Sequence, residues 1–206
     1  MNADMEVQQF KRELLSTDDD LAFCRRNVFS DRVWLLEHRF SNPVLTYKEI
    51  KLYFSDALSI GIDNVAIVGS SRFGFSVSPR KPYRAFDSET SDIDLVIVAT
   101  DLFRRLWNEL FRLFYTRSVY IDGGHQKDVF RKFVNISRDS DVPSELIRDW
   151  HQNMDSLKRS FFTKFRIANG INYRIYEDWQ AAELYHAYSL GQLRRRTLEI
   201  ERDNTE

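Results

Sequence analysis

An α/β (α+β) fold is what this sequence predicts: a small mixed β-sheet packed by helices, with helices before that core and a helix–hairpin–helix extension after it. Three observations carry the prediction. Apolar residues recur at helical spacing through most of the 206 residues. Short apolar runs, Val65–Val68 and Leu95–Val98, interrupt them. The resulting order of helix, strand, strand, helix, strand describes a layered sandwich rather than a helical bundle. With 43% hydrophobic and 30% charged residues, the chain has the composition of a globular domain with a core of its own.

Residues 5 to 40 read as two or three amphipathic helices. The run Asp18-Asp19-Asp20 suits a helix start, where negative charge meets exposed N–H groups. Pro43 closes this section, and a helix follows from Tyr47 to Ile60, with Ile50, Tyr53, Phe54, Ala57 and Leu58 on one face. Gly61 stands where a glycine would end it. The strand Val65–Val68 runs into Gly69-Ser70-Ser71, and a second strand spans Asp92–Val98. Thr100 and Asp101 open a helix whose stripe is Phe103, Leu106, Trp107, Leu110 and Phe114. A third strand, Val119–Ile121, leads to Asp122-Gly123-Gly124. Pro143-Ser144-Glu145 starts a helix carrying Trp150, Met154, Leu157 and Phe161. Alternation in Phe165, Ile167 and then Ile171, Tyr173, Ile175 around Asn169-Gly170 predicts a hairpin. A last helix runs from Asp178 into Arg194-Arg195-Arg196. The chain thus divides into an N-terminal helical segment (1–44), a core (45–140) and a C-terminal extension (141–206).

Composition excludes several classes. Thirty basic residues against 31 acidic ones leave a net charge of −1, which argues against an overall basic nucleic-acid binder. A single cysteine, Cys24, gives no disulfide framework and no CxxC metal knuckle. The first residues lack a basic stretch followed by an apolar run, and no stretch approaches about 18 apolar residues. A cytoplasmic protein without a membrane partner is expected.

The segment from Gly69 to Val98 carries the chemistry. Asp92 and Asp94 lie two apart at the start of a strand, so both carboxylates point to one face, roughly 6 to 7 Å apart. Two carboxylates on one face suit a hard divalent cation such as Mg²⁺. The glycine ending the preceding strand lets backbone approach a ligand, and its amides with Ser70 and Ser71 can hold phosphate oxygens. The two halves together describe a site for a nucleoside triphosphate with its metal. Tyr185, Tyr188 and Trp179 read as a packing seam, and Arg194 to Arg196 as a solvated helix end. Arg174 faces away from Tyr173 and Ile175, where a phosphate could meet it.

Val68-Gly69-Ser70 followed by Asp92-Ile93-Asp94-Leu95 resembles the nucleotidyltransferase superfamily built on the DNA polymerase β palm. The likeness covers residues 45 to 122 and extends to the helices before the first strand and after the second. The longer pattern Gly69-Ser70-Ser71-Arg72-Phe73-Gly74-Phe75-Ser76, with Ser91-Asp92-Ile93-Asp94 after it, is similar to a small bacterial subgroup. Metal-dependent glycosyltransferases and haloacid dehalogenase-like phosphatases also use Asp-x-Asp, but there the pair follows its apolar strand, whereas here it precedes Leu95–Val98. The resemblance implies transfer of a nucleotidyl group from an NTP to an acceptor hydroxyl. Asp92 and Asp94 would hold Mg²⁺ (or Mn²⁺), and Gly69, Ser70, Ser71, Arg72 and Lys81 would bind the nucleotide. The acceptor stays open among RNA, a protein and a small molecule.

Two departures from the family pattern stand out. The span from Gly69 to Asp92 is long, and it holds the cationic loop Pro79-Arg80-Lys81-Pro82-Tyr83-Arg84, either a phosphate or acceptor contact or a solvated insertion. Active members carry a third carboxylate on the next strand; Asp122 has the right order, with Asp128 and Glu177 as rivals. Without a third acid the fold would serve as a catalytically inactive nucleotide-, RNA- or protein-binding module.

Overall fold

The computed structural model describes residues 3–116, 123–136 and 143–203. Asp19 caps the helix that follows it, accepting from the Leu21 and Ala22 N–H groups at 2.9 Å each, as the acidic run predicts. The early helices are α1 (Ala3–Leu15), α2 (Asp20–Asn27) and α3 (Trp34–Arg39). The next helix, α4, spans Pro43–Leu58 and so begins four residues before the expected Tyr47. Pro43 opens it rather than closing the preceding section, because a missing N–H costs nothing in a first turn. Asn42 supplies the cap, and Ser59 ends the helix in the left-handed region two residues short of Gly61.

The strand β1 (Val65–Val68) passes through a one-turn helix, α5 (Ser70–Phe73), and the long loop to β2 (Ile93–Val98). There follow α6 (Thr100–Tyr115), α7 (Gly123–Phe130), β3 (Phe133–Val134), α8 (Glu145–Phe165), β4 (Ile171–Tyr176) and α9 (Trp179–Asp203). The fold is α+β, with a mixed sheet of order β1-β2-β4-β3. β1 runs antiparallel to β2, β2 parallel to β4, and β3 antiparallel to β4.

The expected hairpin at Asn169-Gly170 is not formed. Phe165, the first residue of the expected alternation, is the last of α8, which stops with Arg166 in the left-handed region. Phe165 therefore lies one helical turn from Phe161 on a buried face, and does not alternate with Ile167 in a strand. Asn169 turns its side chain to the long loop instead, donating to the Ser88 and Ser91 carbonyls at 3.0 and 2.8 Å. β4 then joins β2 in parallel, Ile93 opposite Ile171 and Val98 opposite Tyr176. The expected strand at 119–121 lies outside the described residues.

Alternation along the strands divides the core in two. Val65, Ile67, Ile93, Leu95, Ile97, Ile171 and Ile175 face α4, α6 and α8. Ala66, Val68, Val96, Val98 and Tyr176 face α1, α2 and α9. The sheet is the middle layer between two sets of helices. Its β1 edge is closed by side chains: the Tyr47 hydroxyl accepts from Ile67 N–H at 3.2 Å, and Arg72 donates to the Ile67 carbonyl at 3.2 Å. Among the described residues no helix is long and apolar enough to cross a membrane.

Candidate functional site

Asp92, Asp94, Val96 and Val98 share one face of the sheet, as their spacing requires. The apolar half of that face is covered by α2 and α9, and the acidic half lies at the open rim. Asp92 is exposed and Asp94 half-buried. Each carboxylate has a glycine beside it. A Cβ at Gly69 would stand 2.5 Å from Asp94 Oδ2, and one at Gly170 would run into Asp92 Oδ1. Gly69 also has φ +72° and ψ −154°, which side chains avoid, so the strand-ending turn needs glycine twice over.

Further partners come from β4, which pairs with β2. Asn172 donates to Asp92 Oδ2 at 2.9 Å and stands opposite Asp94 in the ladder. Arg174, two residues on, shares the face and acts electrostatically on Asp94 and Asp128. Burial pushes the Asp94 carboxyl above its ordinary value, Arg174 opposes that, and the charge of Asp92 adds to it. Arg174 itself packs over the rings of Phe133 and Tyr185 at 5.7 and 5.5 Å. The sequence exposes Arg174 through period-two alternation, but Asn169, Gly170 and Asn172 were obscured by the hairpin reading.

The other expected residues are distributed unevenly. Ser70 is half-exposed at the turn, beside Gly69. Ser71 is buried, and its hydroxyl donates to the Val68 carbonyl at 3.3 Å, leaving only its main chain to meet a phosphate. Arg72 is a correction. It is 3% exposed, and its guanidinium donates to the carbonyls of Asn27, Ser30 and Ile67 and to the Ser30 hydroxyl. Those acceptors occupy it as an internal brace, so it is unavailable to a triphosphate.

Lys81 is exposed at the tip of the 75–85 loop. That loop folds on itself through the Ser76–Arg84 and Tyr83–Ser76 main-chain bonds. It is anchored by Tyr83, whose hydroxyl meets Thr197 at 2.5 Å and whose ring lies under Lys11. Arg194 is not a free helix end either: it bonds Asp20 at 3.1 Å and the Thr17 carbonyl.

Of the three candidates for a third acid, Asp122 lies outside the described residues. Glu177 follows the far end of β4, about 16 Å along the sheet from Asp94 by strand rise. It is paired there with Lys132 at 3.1 Å and Arg104 at 3.4 Å, which removes it from consideration. Asp128, on α7, is the described carboxylate that shares Arg174 with Asp94. Among the described residues no three of His, Cys, Asp and Glu gather into a metal-holding group.

This arrangement can present two adjacent carboxylates to a cation beside the turn that ends β1. No family model, no curated protein and no solved structure matches the chain.

Proposed function

We propose that the chain is a metal-dependent nucleotidyltransferase, moving an NMP group from an NTP to an acceptor hydroxyl in the cytoplasm. The observation that carries the reading is the acidic pair at the sheet rim, with Asp94 pressed against the left-handed Gly69 that ends β1. The donor set fits a hard divalent cation: Asp92 and Asp94 share one strand face, and the Asp94 carboxyl is raised by its burial beside Asp92. These two residues would hold Mg²⁺ or Mn²⁺. The ion would supply charge stabilisation to the phosphate oxygens.

Gly69, lacking a Cβ, leaves room for the Asp94 carboxylate beside the turn, and the Ser70 hydroxyl and the amides of Ser70 and Ser71 bind the outer oxygens of the triphosphate. Asn172 orients Asp92 through its 2.9 Å bond. The acceptor oxygen bonds to the α-phosphorus while the bond from that phosphorus to the bridging oxygen breaks, releasing pyrophosphate. The acceptor's proton passes to a carboxylate, with Asp122 the residue that the resemblance puts forward. Positioning and electrostatic stabilisation supply most of the rate.

The test is transfer of label from α-³²P NTPs, with Mg²⁺ or Mn²⁺, to RNA, protein or small-molecule acceptors. Wild type should transfer label, and Asp92→Ala/Asp94→Ala should lose at least a thousandfold while remaining folded by circular dichroism. Metal-dependent NTP binding without any transfer would establish the binding module instead. Absence of both NTP binding and transfer would overturn the reading.

A further inference from the structure

A groove of about 770 Å³ lies between α7 and α9, lined by Lys127, Phe130, Arg131, Leu184, Tyr185 and Tyr188. Its composition is unlike that of the packing seam expected for this part of α9. Phe130 is 90% exposed, and Tyr188 and Leu184 are more than half exposed, so the groove presents rings and apolar surface to solvent. Cations stand among them. Lys127 and Arg131 form no ion pair with any described carboxylate, and Arg131 sits 5.7 Å from the centre of the Tyr185 ring. Lys132, at the groove's edge, is committed to Glu177 and Asp178.

Flat rings interleaved with unpaired cations are the chemistry of a single-stranded polynucleotide: bases stack on the rings and phosphates meet the cations. A groove of this size accepts a few splayed nucleotides and no duplex. Unpaired loops and ends with unstacked bases are the usual state in which RNA meets proteins, whereas DNA bases are ordinarily sealed in a helix. Arg174 links the groove to the acidic pair: it packs 5.5 Å from the same Tyr185 ring that receives Arg131, and its charge acts on Asp94.

We infer that this groove binds single-stranded RNA and delivers its terminal hydroxyl toward Asp92 and Asp94. The assignment of that hydroxyl as the acceptor rests on the nucleotidyltransferase reading; the binding surface does not.

The first measurement is fluorescence anisotropy of a labelled 12-nucleotide RNA against the full chain, at several salt concentrations. Wild type should bind with a salt-dependent affinity. Lys127→Ala/Arg131→Ala should weaken binding about tenfold and flatten the logarithmic salt slope by about 1.4, the value for two lost phosphate contacts on a single strand. Phe130→Ala/Tyr188→Ala should weaken it about tenfold or more with the salt slope unchanged. Both pairs are at the surface, and an unchanged unfolding midpoint shows that the fold is intact. Absence of RNA binding at low salt, or equal binding by the variants, would overturn the inference. Equal or tighter binding of DNA of the same sequence would overturn the choice of RNA.

Asp92→Asn/Asp94→Asn separates the two claims. RNA binding retained by this variant, with no transfer by wild type, supports the groove and removes the catalytic reading. Transfer to a protein or small molecule without RNA binding does the reverse.

Discussion

His186 is a side chain whose surroundings set a measurable pH dependence. Its Nε2 is shut off from solvent with no hydrogen-bond partner, next to the buried and equally unpartnered Tyr176 hydroxyl. Phe29 and Tyr185 present ring faces and edges to it, and Arg174 adds a like charge. Burial first, then Arg174, pulls the imidazole down to about 3 from an ordinary 6.5. The folded state therefore binds fewer protons than the unfolded one between those values. Stability is fully present above about pH 6.5 and is lost as the pH falls toward 3. From pH 7 to pH 5 the loss from this one residue is on the order of 2 kcal/mol. Urea unfolding at the two pH values checks it: His186→Phe keeps a ring among its neighbours and should remove that part of the acid loss. Equal losses in both proteins would show that the imidazole is not the cause.

The residue scale is also where the sequence was most legible. Asp92 and Asp94 share a face because period two is a local property, and the pairing of Val68 with Asp94 brings Gly69 beside them. Arg72 is misplaced because its side chain, further round the tight turn, points inward, and no local pattern shows that.

Among the elements, β1 has an edge that ordinary β-strands leave open. Arg72 helps to close it and at the same time holds the 27–30 segment, with donor distances of 2.8 Å to Asn27 and 2.5 Å to Ser30. A buried cation with this many fixed acceptors is destabilising to remove, since each carbonyl loses its partner without gaining water. Arg72→Ala should cost ~3 kcal/mol or more by denaturant unfolding, and Arg72→Lys should recover only part, having no planar fork. A wild-type-like midpoint for Arg72→Ala would show that the brace is dispensable.

Several helices are legible in their apolar stripes and caps, with Asp19 and Ser144 capping α2 and α8 as expected, whereas α7 has no counterpart among the expected elements. The failure was at Asn169-Gly170. Its flanks alternate in sequence, but the first flank continues a helix, and the Asn serves carbonyls some 80 positions away. Hairpin signals are local, and the partner of β4 is not.

For the whole molecule, the decisive fact is that β4 occupies the centre of the sheet, between β2 and β3. Residues 141–206 therefore complete the core, and do not merely follow it. A chain of residues 1–140 lacks β4, α8 and α9, which leaves both faces of β2 without much of their cover. It should show no cooperative unfolding transition by circular dichroism, whereas the full chain should unfold in one. A cooperative transition in the shorter chain would restore the division into a core (45–140) and a C-terminal extension (141–206). The mixed, layered architecture was legible from element order alone. Strand order was not, because parallel pairing joins Ile93 to Ile171 with most of a core's worth of sequence in between.

That same pairing imposes a timetable on synthesis. Chains emerge from the ribosome N-terminus first, and domains settle as their parts become available. Asp92 and Asp94 leave the tunnel on a strand that has β1 on one side and nothing on the other. Gly170, Asn172 and Arg174 follow only after a further long stretch has been translated. The acidic rim is thus assembled last, and a nascent or prematurely terminated chain carries both carboxylates but not the site.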